Sequence, residues 1–460
     1  MPQRSLQSAK TLRQEFVPTL RLAVPLAFAE LAWMFMGVVD TIMVGRLPNS
    51  AIAIGATGLG ETLYNMLAIF AAGLLLGMDT FVSQAFGRED LKDARHSLVN
   101  GVFLALIIAP VLMLLVLACP PLMRQFGISP ELVDPMTPFL RALNWGSLPL
   151  VLYFALRRYL QAVNVVHPIT FAFVSANIIN FIGDWALIYG HLGLPAMGIV
   201  GSGWSTCFAR IYLLVVLLIT LTWIESKRKL ESWKGAFRLE LKRMVELLRL
   251  GIPAATQILF EIGALAVAAT MCARLGPMAL AGHEIALTCA ALTFMVPLGI
   301  SSAAAVRVGQ EIGRGDLTAA RRAGWSAIIL GAGFMTCAAL VFVSFSKTLA
   351  RIFSPDLEVI KVGSTLLLVA AAFQLFDGIQ ICTTGALRGT GDTRTPMLAN
   401  LGAYWFIGLP LAFTLGFKLG WGALGVWIGL CVGLIMIGSG LLIVWRRRQL
   451  TQLVPLPIEE

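Results

Sequence analysis

The stretch "VFLALIIAPVLMLLVLACPPL", from Val102 to Leu122, contains no charged residue. A run of about 20 mostly apolar residues is long enough to cross the hydrocarbon core of a bilayer as a helix. A second such run, "IYLLVVLLITLTWI", extends from Ile211 to Ile224. Across the chain 58% of residues are hydrophobic and 13% are charged, whereas soluble domains carry roughly 25% charged residues. The sequence therefore predicts a polytopic membrane protein.

Twelve apolar runs can be distinguished, from about residues 17–45 to about residues 422–445. Most of the 35 Lys and Arg residues fall in the two termini and in alternate connections, near 87–97, 156–167, 225–249, 310–322 and 387–395. Basic residues accumulate on the cytoplasmic side of membrane proteins, so we expect both termini in the cytoplasm. This placement explains the net charge of +10 without nucleic acid as a partner.

The two halves of the chain are copies of one unit. The segment "QAFGREDLKDAR" (Gln84 to Arg95) recurs as "QEIGRGDLTAAR" (Gln310 to Arg321), with seven of the twelve positions identical. Each copy holds six spans, so both have the same orientation in the membrane. We predict an all-α fold of 12 transmembrane helices in two parallel six-helix lobes, an arrangement typical of transporters. The predicted segments are an N-terminal arm (1–16), an N-lobe (17–224), a basic linker (225–244), a C-lobe (245–445) and a tail (446–460).

Asp40 is the only charged residue in the apolar stretch "WMFMGVVDTIMVG" (Trp33 to Gly45). A carboxylate at the bilayer centre costs about 2.5–3.5 kcal/mol on insertion scales, so few are kept without a use. A buried structural acid is the alternative, but the equivalent position in the other repeat is Ala268. The other acids and the one base predicted within spans are Glu30, Glu61, Asp184, Glu261, Glu284, Asp377 and Arg210.

The fifth span, "SANIINFIGDWALIYG" (Ser175 to Gly190), carries polar residues on one helix face. Asn177, Asn180 and Asp184 follow the helical spacing i, i+3, i+7. Carboxylate and amide oxygens suit a hard cation such as Na+. The same carboxylates could instead bind a proton, because burial disfavours the charged form of an acid. Arg210 could neutralise one of these acids.

Two acids of the second half, Glu261 and Asp377, form a second candidate locus. Gln374 and Gln380 flank Asp377 at a spacing of three residues, so they share its helix face. Acids facing a cavity would offer negative charge to a cationic ligand.

Sequence signals for other chemistry are weak. "GATGLGET" (Gly55 to Thr62) approaches the phosphate-binding loop GxxxxGK[ST], but Glu61 replaces the lysine. The seven Cys residues show no CxxC pairing and the four His residues no ligand spacing. We therefore expect no enzymatic activity, no metal beyond a possible Na+, and no cofactor apart from a coupling ion, Na+ or H+.

The chain resembles the multidrug and toxic compound extrusion (MATE) family, and most closely its NorM-type branch. The resemblance covers nearly the whole chain. It rests on "MGVVDTIMVGRL" in the first span, "NFIGDWALIYG" in the fifth, "LGIPAATQILFE" in the seventh, "VRVGQEIGRGD" after the eighth and "FDGIQICTTGALRGTGDTRTP" in the tenth.

The resemblance implies a secondary active multidrug efflux transporter that works by Na+- or H+-coupled antiport with alternating access. It assigns Asp40, Asn180 and Asp184 to a cation or proton site of the N-lobe, which Thr206 completes. Glu261 and Asp377 match the acidic pair of the C-lobe, where they would meet cation or substrate. Phe373 stands where relatives can carry a tyrosine. No family role transfers to Glu30 or Arg210.

The expected partners are small-molecule drugs or dyes, mostly cationic and amphipathic, together with membrane lipids. We expect a monomer in a bacterial cell inner membrane. The alternative function is a flippase of lipids or lipid-linked oligosaccharides from the same broad superfamily. Such a flippase would favour basic residues in its cavity, and Arg210 is the only deep base in the predicted spans. A membrane-embedded enzyme is a further alternative, but no reactive constellation supports it.

Overall fold

The computed structural model describes residues 3–227 and 238–448, and side-chain surroundings from residue 15 onward. The described part of the chain is almost entirely helical and contains no strand. The helices are α1 (Gln3–Val44), α2 (Ser50–Leu74), α3 (Gly77–Gly87), α4 (Leu91–Gln125), α5 (Pro130–Asn144), α6 (Ser147–Ala162), α7 (His167–Tyr189), α8 (Ile199–Lys227), α9 (Leu241–Leu275), α10 (Pro277–Gly313), α11 (Leu317–Phe353), α12 (Leu357–Gly389), α13 (Arg394–Asn400), α14 (Leu409–Phe413) and α15 (Gly422–Arg447).

Eleven helical segments of the described ranges are long and apolar enough to span a membrane, and the pair α5–α6 supplies a twelfth. The chain bends by 47° between these two helices. The predicted all-α fold with twelve spans is confirmed. Parts of the predicted arm, linker and tail lie outside the described residues, at 1–2, 228–237 and 449–460.

The span Arg394–Lys418 is not a regular α-helix. Two π-helical stretches, Leu401–Gly408 and Thr414–Lys418, flank the short helix α14. Wider turns of this kind are rare and are found frequently at functional sites. The first stretch carries Tyr404 and Trp405.

The repeated motif of the sequence marks the start of a helix in both halves. Asp90 precedes α4 and accepts a hydrogen bond from the Asp93 backbone N–H (3.0 Å). Its equivalent Asp316 precedes α11 and accepts one from the Ala319 N–H (2.8 Å). Each aspartate thereby satisfies a backbone donor that the first turn leaves free. The repeat is therefore a helix-capping turn, which explains why Gly-Arg-x-Asp-Leu occurs twice.

Contacts divide the chain into two compact units. The N-unit is Phe28–Ala255, and the C-unit is Thr256–Glu460 together with Met1–Ala27. In the N-unit α7 packs along α8, α6 packs against α4 and α8, and α5 against α2 and α8. In the C-unit α12 packs against α10, α11 and α15.

Salt bridges hold the first half of α1 and the first turn of α9. In the C-unit, Glu15 at the start of the apolar part of α1 pairs with Arg307 of α10 at 2.7 Å. In the N-unit, Arg243 at the start of α9 pairs with Asp93 of α4 at 2.5 Å. Asn100 of α4 also accepts a hydrogen bond from the Glu240 N–H (2.9 Å).

Candidate functional site

Asp40 lies in the second half of α1, buried in the N-unit with 3% of its surface exposed. The Thr206 hydroxyl of α8 donates a hydrogen bond to Asp40 Oδ2 at 3.2 Å. The two residues are far apart in sequence, and packing of α1 beside α8 brings them together. Thr206, expected only from the family resemblance, is therefore in contact with Asp40.

Asp184 of α7 is fully buried, and its carboxyl group lies within hydrogen-bonding reach of that of Asp40. One turn earlier, Asn180 donates from Nδ2 to Asp184 Oδ2 (3.4 Å) and to Ser205 Oγ (3.0 Å). Ser205 in turn donates to the Asn180 backbone carbonyl at 2.7 Å. The four residues predicted for the N-lobe thus form one cluster, and Ser205 is a member that the sequence did not reveal.

Close approach of α7 and α8 makes this cluster possible. Gly183 faces α8 at a point where an added Cβ would lie 2.5 Å from Ser205 Oγ. Only glycine leaves room for Ser205 to reach Asn180. Asn177, by contrast, donates to the backbone carbonyls of Ala32 and Phe173, both at 2.9 Å. Its side chain ties α7 to α1.

Three buried oxygens of the cluster receive no hydrogen bond from any described residue. They are Oδ1 of Asp40, Oδ1 of Asn180 and Oδ1 of Asp184. A buried acceptor without a donor is costly, and two adjacent carboxylates cannot both stay charged without compensation. Oxygen acceptors of this kind meet the needs of a proton or a hard cation such as Na+. The cluster is therefore a candidate cation or proton site.

A cavity of about 170 Å³ adjoins the cluster within the N-unit. Its lining combines apolar and aromatic side chains with one hydroxyl, one amide, two carboxylates and one guanidinium. The lining residues are Trp33, Met34, Met36, Gly37, Asp40, Glu61, Asn65, Leu143, Phe173, Thr206, Arg210 and Leu213. Sites for drug-sized ligands usually measure roughly 300–1,000 Å³. This cavity alone therefore suits ions, water or part of a larger molecule.

Arg210 of α8 points into the same cavity and is 6% exposed. Its guanidinium carbon lies 4.4 Å from the ring centroid of Tyr64. One guanidinium N–H donates to the Leu143 carbonyl at 3.4 Å. Its charge acts on Asp40 and Glu61 through space.

Glu261 and Asp377, the predicted C-lobe pair, lie in the C-unit. Gln380 donates from Nε2 to Glu261 Oε1 at 3.3 Å, and the charges of Glu261 and Asp377 interact. Trp405, in the first π-helical stretch, donates from Nε1 to the Phe260 carbonyl at 3.1 Å. The irregular span therefore packs directly beside Glu261. The two acids form a locus separate from Asp40 and Asp184.

A buried charge network in the N-unit was not predicted from the sequence. Glu30 of α1 forms a salt bridge with Arg157, and Asp79 of α3 forms one with Arg158 at 3.4 Å. The sequence placed both arginines near an inner connection at 156–167, and the structure shows them in the last turns of α6, which ends at Ala162. An Arg pair at the end of an apolar run looks like an interfacial anchor, and only the buried acids opposite reveal its role.

The fold and these buried acids define a multi-pass helical membrane protein with a polar site inside each of its two units. The MatE family model matches the chain twice, at residues 25–186 and 253–414. Both matches begin at equivalent prolines of the two repeats, Pro25 and Pro253. The chain therefore belongs to the MATE family of membrane transporters, and it is not an enzyme.

Relatives agree with this assignment. The chain is 34% identical to the "Probable multidrug resistance protein NorM" of Brucella suis, over 96% of this chain and 95% of the relative. It is 35% identical to the protein of the same name from Pseudomonas putida, over 95% and 96%.

Solved structures show the same fold. The eukaryotic MATE transporter AtDTX14 superimposes with a TM-score of 0.84 at 20% identity, covering 95% of this chain and 97% of that one. A MATE structure in complex with MaD3S gives a TM-score of 0.84 at 19% identity, covering 94% and 95%.

Proposed function

We propose that this chain exports amphipathic, mostly cationic small molecules in exchange for Na+ or H+. The relatives named as multidrug resistance proteins support efflux as the activity. The observation that carries the proposal is the contact of Asp40 with Asp184 beside three buried oxygens without donors. Such a pair needs a positive charge between its members, and a coupling cation supplies it.

Coupling follows from differential affinity. A ligand shifts a conformational equilibrium only if it binds one state more tightly than the other. Bound cation at Asp40, Asn180, Asp184 and Thr206 would hold α1 against α7 and α8. Loss of the cation would leave two buried carboxylates in repulsion and favour a state in which they separate. Efflux then requires that cation and drug weaken each other's binding, which alternating access between the two sides of the membrane converts into transport.

The acids of the C-unit supply the second part of the proposal. Glu261 and Asp377 offer negative charge beside the aromatic rings of Phe260 and Trp405. An amphipathic cation needs both a counter-charge and an apolar or aromatic surface. We assign the recognition of cationic substrate to this locus.

Reconstitution into proteoliposomes tests the function. Transport of a cationic dye across the vesicle membrane should stimulate a flux of Na+ or H+ in the direction opposite to the dye. Asp40→Asn should abolish this stimulation. Dye efflux with equal rates in wild type and Asp40→Asn would contradict the assignment of the site. Translocation of a fluorescent phospholipid without any dye efflux would instead favour the flippase alternative.

The membrane and its sidedness also belong to the proposal. We infer a monomer in the bacterial inner membrane with both termini in the cytoplasm, because the basic residues concentrate in alternate connections. Fusions of a reporter that is active only in the cytoplasm, placed after residues 8 and 455, test the topology. An inactive reporter at either position would contradict it.

A further inference from the structure

Arg210 is a buried cation with an unusual set of partners. Among the described residues, no carboxylate comes within the 4.0 Å of a salt bridge to its guanidinium. Buried charges are normally paired, and one left without a counter-ion is costly. Arg210 has only a weak hydrogen bond to the Leu143 carbonyl and the face of the Tyr64 ring. Its charge therefore remains available to the cavity.

The ring under Arg210 is held in place by a chain of hydrogen bonds. Tyr64 is 1% exposed, and its hydroxyl shares a hydrogen bond with Ser147 Oγ at 3.0 Å. Ser147 donates to Asn144 Oδ1 at 3.0 Å, and Asn144 donates to the Met113 carbonyl at 3.0 Å. The ring is a fixed platform for the guanidinium rather than a side chain that adapts to it.

The bend between α5 and α6 makes room for the arginine. Gly146 occupies the bend, and a Cβ at this position would lie 2.9 Å from Arg210 Cδ. The Leu143 carbonyl that accepts the Arg210 hydrogen bond belongs to the last turn of α5, and it also accepts a hydrogen bond from the Gly146 N–H at 3.0 Å. The Tyr64 ring of α2, the end of α5 and the bend at Gly146 together fix the position of Arg210 at the wall of the cavity.

Charged groups of both signs surround the Asp40–Asp184 pair. Glu61 of α2 lies on the same cavity, and its charge acts on both Asp40 and Asp184. Arg210 acts on Asp40 and Glu61 with the opposite sign. The other titratable groups facing Arg210 are the Tyr64 hydroxyl and the Cys207 thiol. A cation bound by Asp40 and Asp184 would therefore be attracted by Glu61 and repelled by Arg210.

We propose that Arg210 is a fixed counter-cation that lowers the affinity of the Asp40–Asp184 pair for the coupling cation, while Glu61 raises it. This inference rests on the proposed function. When the coupling cation leaves, Arg210 partly compensates the negative charges of Asp40 and Asp184. When the cation is bound, Arg210 repels it. Release of the cation, which each transport cycle requires, is thereby made easier. Arg210 and Glu61 are positioning residues that act through Asp40 and Asp184.

The test is the concentration of coupling cation that gives half-maximal dye efflux from proteoliposomes. It is measured with Na+ at fixed pH and with H+ at fixed Na+. Arg210→Gln should lower the half-maximal concentration by about tenfold, and Arg210→Lys, which keeps the charge, should stay close to wild type. Glu61→Gln should raise the half-maximal concentration several-fold. The double variant should return toward the wild-type value.

Opposite shifts separate an electrostatic role from a packing role, because damage to packing would impair both single variants in the same direction. An unchanged or raised half-maximal concentration in Arg210→Gln overturns the proposal, as does a lysine variant that behaves like the glutamine variant. If Arg210→Gln does not fold, Glu61→Gln decides the question, and a half-maximal concentration that does not rise overturns the proposal.

Asp40→Asn in the same assay separates this inference from the proposed function. Efflux in Asp40→Asn that still depends on the cation as in wild type contradicts the proposed function itself. Loss of cation dependence in Asp40→Asn, together with unchanged half-maximal concentrations in the Arg210 and Glu61 variants, overturns only the role of these two residues.

Discussion

The Thr206 hydroxyl donates a hydrogen bond to Asp40 Oδ2 at 3.2 Å, so the lone pairs of the hydroxyl oxygen remain free to meet a cation. The hydroxyl therefore has different consequences for the two candidate ions. Toward Na+ it is a ligand. Toward H+ it is a competitor, because it stabilises the charged form of the carboxyl group that the proton must occupy.

Thr206→Val distinguishes the two ions. Loss of a hydrogen bond to a charged group is worth about 1.5–3 kcal/mol at most, and less for a bond of this length. If Na+ is the coupling ion, the half-maximal Na+ concentration should rise by about three- to tenfold. If H+ is the coupling ion, the half-maximal H+ concentration should fall by a similar factor.

Thr206→Ser is the matched control, because it keeps the hydroxyl and should behave like wild type in both titrations. Identical titrations for valine and wild type would show that Thr206 has no part in the site.

Gly183→Ala should damage the site through packing alone. The new methyl group would meet Ser205 Oγ at 2.5 Å and push α8 away from α7. Overpacking of this kind costs about 1–3 kcal/mol, so we expect a lower midpoint of thermal unfolding together with weaker cation dependence of dye efflux.

Gly58→Ala is the control for this substitution. Gly58 also lies within a helix, and nothing approaches its Cβ position within 4 Å. Alanine there should be neutral or stabilise the helix by up to about 1 kcal/mol. Equal unfolding midpoints for the two alanine variants would contradict the close packing of α7 on α8.

The sequence predicted the spans well because their signal is local: about 20 apolar residues suffice to identify each one. Asp40 and Asp184 were also identifiable, since a carboxylate in an apolar run is conspicuous. Their mutual contact was not, because it depends on how α1 packs against α7. Ser205 escaped notice because a serine in a helix can satisfy itself on the preceding turn. The pairing of Glu30 with Arg157 likewise depends on tertiary packing, and neither residue reveals its partner by spacing.

Glu30→Gln should destabilise the protein strongly. Glu30 and Arg157 form a buried salt bridge, with the arginine side chain only 3% exposed. Removal of one partner of a buried pair costs about 3–5 kcal/mol, because the other charge stays buried without compensation. We expect a marked fall in the unfolding midpoint of the detergent-solubilised protein, measured by tryptophan fluorescence.

Asp134→Asn is the matched control for Glu30→Gln. Asp134 pairs with Arg124 at 2.7 Å, but both side chains are more than half exposed, at 63% and 57%. Exposed pairs contribute about 0–1 kcal/mol, so this variant should unfold close to wild type. A similar fall in the unfolding midpoint of both variants would show that burial does not determine how much the Glu30–Arg157 pair contributes to stability.

Asp377→Asn should affect the drug rather than the ion. Asp377 is 7% exposed in the C-unit and interacts by charge with Glu261, whereas the candidate cation site lies in the N-unit. Removal of one negative charge from a locus that binds a cationic dye should raise the KM for that dye by about tenfold, the factor that corresponds to 1.4 kcal/mol. The half-maximal concentration of coupling cation should stay unchanged.

Efflux of a neutral amphipathic dye is the internal control, because its KM should not respond to the charge of Asp377. A rise in the half-maximal cation concentration with an unchanged KM for the cationic dye would assign Asp377 to the coupling site instead of the drug site.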